Sequence, residues 1–359
     1  MTRLLIALTL IAGCKDKAKD QPKPEPSGSG SATTPVDAAA KPVAKYATPD
    51  AKLQRFNECW DAYNNAKQDV YASCFAPDAV REQVDSVPDL VSQGSGKILE
   101  MAKAQKTAFP DLKVTPQLVI VSGNDVAAIL HIGGTNTGEA EGMKATGKKL
   151  GMYEAELATM GDDGMITKDH FYSDQPTQFH QLGLLKNDTS PAALDKPTTP
   201  AETLISKADP AEAANKAVIE KLVEAINKKD GKAIEGLLAD DFKLTYHGDK
   251  TKVENKKAGI KWFGDTLKTT KDGFVDIKNA WTAGDHVVIA DVFTGTPSEE
   301  ITGKGGEARK IETHIVQFFT VKDGKIAQQQ IFANRLKTAV ELGIVDPDQL
   351  MKTLSKAGK

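Results

Sequence analysis

The sequence predicts an α+β protein of two tandem domains, each with about three N-terminal helices packed on a curved, mainly antiparallel sheet. Three observations carry this. The first is an internal repeat. "DGMITKDHFYSDQPTQFHQLGLL" (163–185) aligns without a gap on "DGKIAQQQIFANRLKTAVELGIV" (323–345). Upstream, 122–135 lies over 283–296 and 71–80 over 234–243, in the same order and at offsets of 160 to 163 residues. The second is that helical periodicity precedes strand alternation in both halves, which puts helices on one face of a sheet. The third is a Pro- and Thr-rich stretch within residues 186–206, "KNDTSPAALDKPTTPAET", read as the linker between the halves.

The elements follow in order. "MTRLLIALTLIAGC" has one basic residue and a short apolar run, too short to span a bilayer but proportioned as a secretory signal. Its ending, "IAGC", resembles the bacterial lipobox. Residues 1–13 are then a signal peptide and Cys14 the lipidated first residue of the mature chain. Several acyl chains, at about 0.8 kcal/mol per buried CH₂, would hold it to a membrane. Residues 14–47, rich in Lys, Pro, Ser, Gly and Ala, bury too little to offset their ordering entropy and read as a disordered tether. Domain 1 spans 48–185, with helices near 50–66, 68–76 and 95–107 and strands near 112–121, 125–134, 149–160 and 165–174. Domain 2 spans 207–348. Ile219, Leu222, Val223 and Ile226 form one helical face, "GKAIEGLLADDF" a short second helix, and Ile260, Phe263 and Leu267 line a third. Strands follow near 274–281, 286–294, 309–321 and 325–334, the last pair joined by the hairpin signal "KDG". Residues 349–359 are a tail.

"FPDL", the "TGKK" loop and the closing "QLGLL" of domain 1 resemble a SnoaL-like polyketide cyclase or ester cyclase, of the nuclear transport factor 2-like superfamily. Domain 2 is similar but diverged, keeping "KDGKI" and "ELGIV". The resemblance implies α+β cones whose sheet wraps a mainly apolar pocket. It also implies that an aspartate near the end of the last strand, Asp174, is a general acid/base, with Tyr153 or Tyr172 donating a hydrogen bond to an enolate oxygen. Alternation puts Ile166, Lys168, His170, Tyr172 and Asp174 on one face, taken to look into the pocket. His170 stands where the family commonly has tryptophan. In domain 2 the matching face is Ile326, Gln328, Gln330, Phe332 and Asn334, and Asn334 cannot take a proton. With His247 and His314 as the remaining titrating groups, the second copy reads as binding or structural. The candidate pocket residues are Tyr153, His170, Tyr172, His314, Gln330 and Asn334, with Asp174 the candidate catalytic group.

Net charge is −3, which gives no electrostatic case for nucleic acid. The six histidines lack metal-ligand spacing, and no phosphate loop or nucleophile elbow occurs, so neither a metal nor a cofactor is expected. With Cys14 lipidated, Cys59 and Cys74 remain in an oxidising compartment, as a disulfide or as two buried thiols. The expected protein is an envelope lipoprotein, at the outer membrane facing the periplasm because Lys15 follows Cys14. Its domains bind a small apolar or carbonyl-containing molecule or serve as an interaction module, and pair with each other as a pseudo-dimer. The alternative is an acid–base cyclase or isomerase acting through Asp174.

Overall fold

The structure is a computed structural model that describes residues 45–139, 144–185, 189–298 and 309–357. The expected signal peptide, Cys14 and nearly all of the expected tether lie outside the described residues. Domain 1 opens with α1 (Pro49–Asn64) and α2 (Gln68–Ala72), then β1 (Phe75–Gln83), β2 (Leu90–Gln93) and α3 (Ser95–Ala108). The meander β3 (Lys113–Ser122), β4 (Asp125–Thr135), β5 (Lys149–Met160) and β6 (Ile166–Tyr172) follows, closed by α4 (Gln175–Gln181). Cys59 on α1 and Cys74 after α2 form a disulfide, with Cα atoms 6.1 Å apart.

Domain 2 repeats the plan with α5 (Pro210–Asn227), α6 (Gly231–Leu237), β8 (Leu238–Tyr246), β9 (Lys252–Val253) and α7 (Lys256–Thr266). Strands β10 (Phe274–Ala283), β11 (His286–Gly295), β12 (Ile311–Lys322) and β13 (Lys325–Phe332) come next, then α8 (Arg335–Glu341). The expected tail begins as a further helix, α9 (Pro347–Ala357), which seats Leu350 in a small cluster with Phe179, Leu336 and Val345.

Two features depart from the sequence reading. Residues 75–83 and 238–246 are strands that run parallel to β6 and β13, extending each meander into a mixed sheet. Pro77 and the absence of strict alternation hide the first of them. The linker is also more than a spacer: β7 (Glu202–Ile205) adds a parallel strand to the β3 edge, giving the order β2-β1-β6-β5-β4-β3-β7. The second sheet runs β10-β11-β12-β13-β8-β9.

Each sheet has one face on its own helices and the other on the opposite domain. Facing α1 and α3, Val119, Val121, Ala128, Leu130, Met152 and Phe171 build the first core. Facing α5 and α7, Val287, Ile289, Phe319 and Ile331 build the second. Between the sheets, Ile120, Ala127, Ile129, Ala155 and Tyr172 meet Val288, Ala290, Val316, Phe318 and Phe332 in a third, interdomain core. The two domains are therefore one sheet-to-sheet pair within a single chain.

Candidate functional site

Asp174 lies just past β6 and caps α4, its Oδ2 accepting from Thr177 N at 3.0 Å and Thr177 Oγ1 at 2.7 Å. An aspartate at this position satisfies amide donors that the helix leaves open. The same carboxylate holds Arg335 of domain 2: Nη2 meets Oδ2 at 2.7 Å, and Nε and the Arg335 amide meet Oδ1 at 3.1 Å. Asn334 mirrors it. Its Oδ1 caps α8 at Leu336 N and accepts from the Gln175 amide, while Nδ2 donates to Gln175 Oε1 at 2.9 Å. The Asp174/Asn334 pair thus sits on an approximate twofold axis, and both residues are almost fully buried. With both oxygens of Asp174 engaged, the geometry gives it a capping and docking role in place of the expected pocket base.

The expected pocket face is corrected as well. A bulge at Thr167, seen as a register shift between Thr159 and Met160, changes the parity of β6. Lys168, His170 and Tyr172 therefore point away from the helices, and Asp169 and Phe171 point at them. Tyr153, Tyr172 and Asp174 do come together with His247 and Phe332, but in a cleft between the domains whose cavity volume is about 0 Å³, too tight for a water molecule. Ligand pockets usually start at about 300 Å³. Tyr153 Oη bonds Thr198 of the linker, and His247 stacks on Phe332 and bonds Gln330. Burial pushes the His247 imidazole down to about 4, so it stays neutral. His170 sits at the surface 3.9 Å from Glu82, and His314 bonds Asp85 of domain 1 at 2.8 Å. These residues serve the interface or the surface.

The unexpected chemistry lies inside the first domain, beneath the helices. Arg81 on β1 donates to Asp169 Oδ2 on β6 at 2.5 Å and to Tyr71 Oη at 2.6 Å. Glu156 on β5 accepts from Trp60 Nε1 at 3.0 Å. Asp169 Oδ1 has no donor among the described groups, and Glu156 is its neighbour. One shared proton resolves this. Burial, reinforced by the Asp169 charge, pushes the Glu156 carboxyl well up, while burial raises Asp169 against the opposing pull of Arg81, so of the two Glu156 is the better holder of the proton. Glu154, two residues back on the same face, bonds Gln178, and its burial raises it to about 7.

The second domain replaces this network. Gln329 occupies the place of Asp169, Gln317 that of Glu156 and Leu244 that of Arg81, by matching strand register. Gln329 Nε2 donates to Gln317 Oε1 at 2.6 Å, and Gln317 Nε2 donates to Asp291 Oδ2 at 2.7 Å. Asp291 stands where the first domain has Leu130, between Ile277 and Ile315 on the flanking strands. Those two, with Phe293, Leu267, Ile260 and Trp262, are only partly buried. Asp291 Oδ1 lacks a partner among the described residues, and burial pushes its carboxyl up to about 7.

Residues 51–182 match the family model of SnoaL-like polyketide cyclases, and residues 219–329 match that of the SnoaL-like domain. The chain carries two tandem SnoaL-like domains of the nuclear transport factor 2-like superfamily. No curated protein matches it. A protein of Jannaschia sp. CCS1 described as a SnoaL-like polyketide cyclase is 18% identical, over 39% of this chain and 99% of that one, with a TM-score of 0.35. TsrD of Streptomyces laurentii is 18% identical over 38% and 100%, with a TM-score of 0.34. AclR of Streptomyces galilaeus is 22% identical over 38% and 99%, with a TM-score of 0.34. Each likeness extends over about the length of one SnoaL-like domain.

Among the described residues no cluster of His, Cys, Asp or Glu could hold a metal, and no helix is long and apolar enough to cross a membrane. The residues that sequence reasoning missed in the SnoaL-like domains are Arg81, Glu154, Glu156, Asp169 and Asp291. A signal for two of them was available. The offset of 160 that sets Asp174 over Asn334 also sets Asp169 over Gln329, and the strand before it sets Glu156 over Gln317.

Proposed function

We propose that the protein is a lipid-anchored binding protein of the bacterial cell envelope, whose small, mainly apolar ligand enters the second SnoaL-like domain. The observation that carries this is the half-open apolar floor of Ile277, Phe293 and Ile315 around Asp291. The matching space of the first domain is filled by Trp60, Tyr63, Tyr71, Phe171 and Arg81, all almost fully buried. The first domain then acts as a rigid partner that covers the back of the second sheet. The anchor at Cys14 and the tether would hold the pair off the outer membrane on its periplasmic side. Native mass spectrometry of residues 45–359 tests the binding: an extra mass that leaves on gentle activation and is absent from Ile315→Trp is expected. A bare mass in both, together with no uptake of an apolar dye, would end the reading. Incorporation of labelled palmitate that is lost in Cys14→Ser tests the anchor.

A second reading is favoured by the carboxyls of the first domain. A shared proton on Glu156 and Asp169, beside a Glu154 that titrates near neutrality, is the equipment of a cyclase or isomerase that moves a proton next to a carbonyl. This reading moves acid–base chemistry from Asp174 to Glu154 and Glu156. It requires the α1–α2 face to open to substrate. Loss of turnover in Glu156→Gln, with Asp174→Asn retaining it, is the expected outcome on any substrate found.

A further inference from the structure

The polar ladder of the second domain has two ends, and they differ. At one end Gln329 Oε1 has no donor among the described residues, but its cross-strand neighbours Phe319 and Leu244 are fully buried and close it off. At the other end Asp291 Oδ1 has no donor among the described residues either, and its neighbours Ile277 and Ile315 are half-buried. Asp291 itself is 2% exposed. A buried carboxylate costs several kcal/mol unless it is paired, and native structures rarely leave one short of a donor. The first domain avoids that cost at the same position with Leu130.

The polar atoms left over at this floor are acceptors. The side-chain donors of the ladder, Gln317 Nε2 and Gln329 Nε2, are committed within it. An anionic head would therefore meet a carboxyl oxygen with no side-chain N–H of the ladder left to receive it. A neutral hydroxyl would supply one donor, and an ammonium supplies three together with the charge that a buried carboxylate lacks.

We infer that the second domain recognises an amphiphile with a cationic, hydrogen-bond-donating head, an alkylammonium being the simplest, with the head on Asp291 Oδ1 and the tail along Ile277, Phe293 and Ile315. The inference rests on the binding reading above and adds the class of ligand. It accounts for a titratable group in the floor of an otherwise apolar surface: Asp291 selects the head, and the isoleucines set the tail.

Isothermal titration of residues 45–359 at pH 8 with n-octylammonium, octan-1-ol and octanoate separates the two claims. Octylammonium is expected to bind at least tenfold tighter than octanol, and octanoate no tighter than octanol. Asp291→Asn and Asp291→Leu should weaken octylammonium at least tenfold and octanol by clearly less, and Ile315→Trp should abolish all three. The leucine variant restores the residue type of the first domain, which keeps the test valid should the amide disturb the fold. Octanol binding that depends on Ile315, with octylammonium no better or with Asp291→Leu without effect, overturns the ligand class and leaves the pocket. No Ile315-dependent binding of any probe overturns both.

Discussion

The first domain places an arginine, two coupled carboxyls and a ring of aromatic side chains between its helices and sheet. The second holds Leu244, Gln317 and Gln329 at the matching polar positions, and Val223 and Ile331 where the first has Trp60 and Phe171. The Trp60–Val223 match follows from Asn64 and Asn227, one turn on, which clamp Val114 and Val275 in the same way. Bulk is moved rather than lost, because Phe242 and Phe319 stand opposite Ala79 and Ala158. The comparison teaches that one fold tolerates either a charged interior that is closed or an amide interior that is partly open. Exchanging acids for amides removes the need for the arginine, and removing the arginine forces that exchange.

The strongest way to break this comparison is to mix the two solutions. Arg81→Leu alone leaves the buried Asp169 without its cation, and should cost as much as about 5 kcal/mol. Adding Asp169→Gln and Glu156→Gln should recover most of that, read by denaturant unfolding. A loss below about 1 kcal/mol for the single variant would show that the network is not held by Arg81. The acid of the second domain gives the next largest effect. Its carboxyl is raised to about 7, so the folded state keeps a proton that the unfolded state releases near pH 4. Stability should fall as pH rises from 4 to 7, and Asp291→Asn should remove that fall, worth about 4 kcal/mol at most. A flat wild-type profile, equal to the variant's, would place Asp291 in water.

Asp174→Asn sharpens the comparison at the axis by giving both domains the same residue. Asparagine caps a helix as well as aspartate, so the cost is the loss of the charged bonds to Arg335, about 2 kcal/mol. A larger effect on ligand binding than on stability would return Asp174 to the functional site. The smallest effect concerns His314, raised by its hydrogen bond to Asp85 against the opposing pull of burial. Its contribution is full below pH 6.5 and is lost as pH rises through the raised value, so the stability gap between wild type and His314→Gln should narrow from pH 6 to 8. With the side chain 36% exposed, the change should stay below about 1 kcal/mol. A gap that is constant with pH would mean that His314 is neutral throughout.

Much of the fold was legible because repeats and periodicity survive divergence. The helical face of Ile219, Leu222 and Val223 is buried as its spacing requires, and the "KDG" turn joins β12 to β13. The candidate site was not legible, for one local reason. Alternation fixes faces only in an unbroken strand, and the single extra residue at Thr167 exchanges them, sending Asp169 inward and Tyr172 outward. Asp174 was read as the last residue of that strand, whereas "SDQPT" is a helix start, with Asp174 as cap and Pro176 in the first turn. Arg81 could not have been linked to Asp169 from sequence, because the parallel pairing of β1 with β6 joins residues 88 positions apart.

The axis has a consequence for how such a chain chooses its partner. Two first domains would bring two Asp174 carboxylates to the axis with no guanidinium, and two second domains would bring two Arg335 guanidiniums with no carboxylate. Each half is therefore poorly matched to itself and well matched to the other, so the fused chain carries its own safeguard against promiscuous assembly with sister molecules.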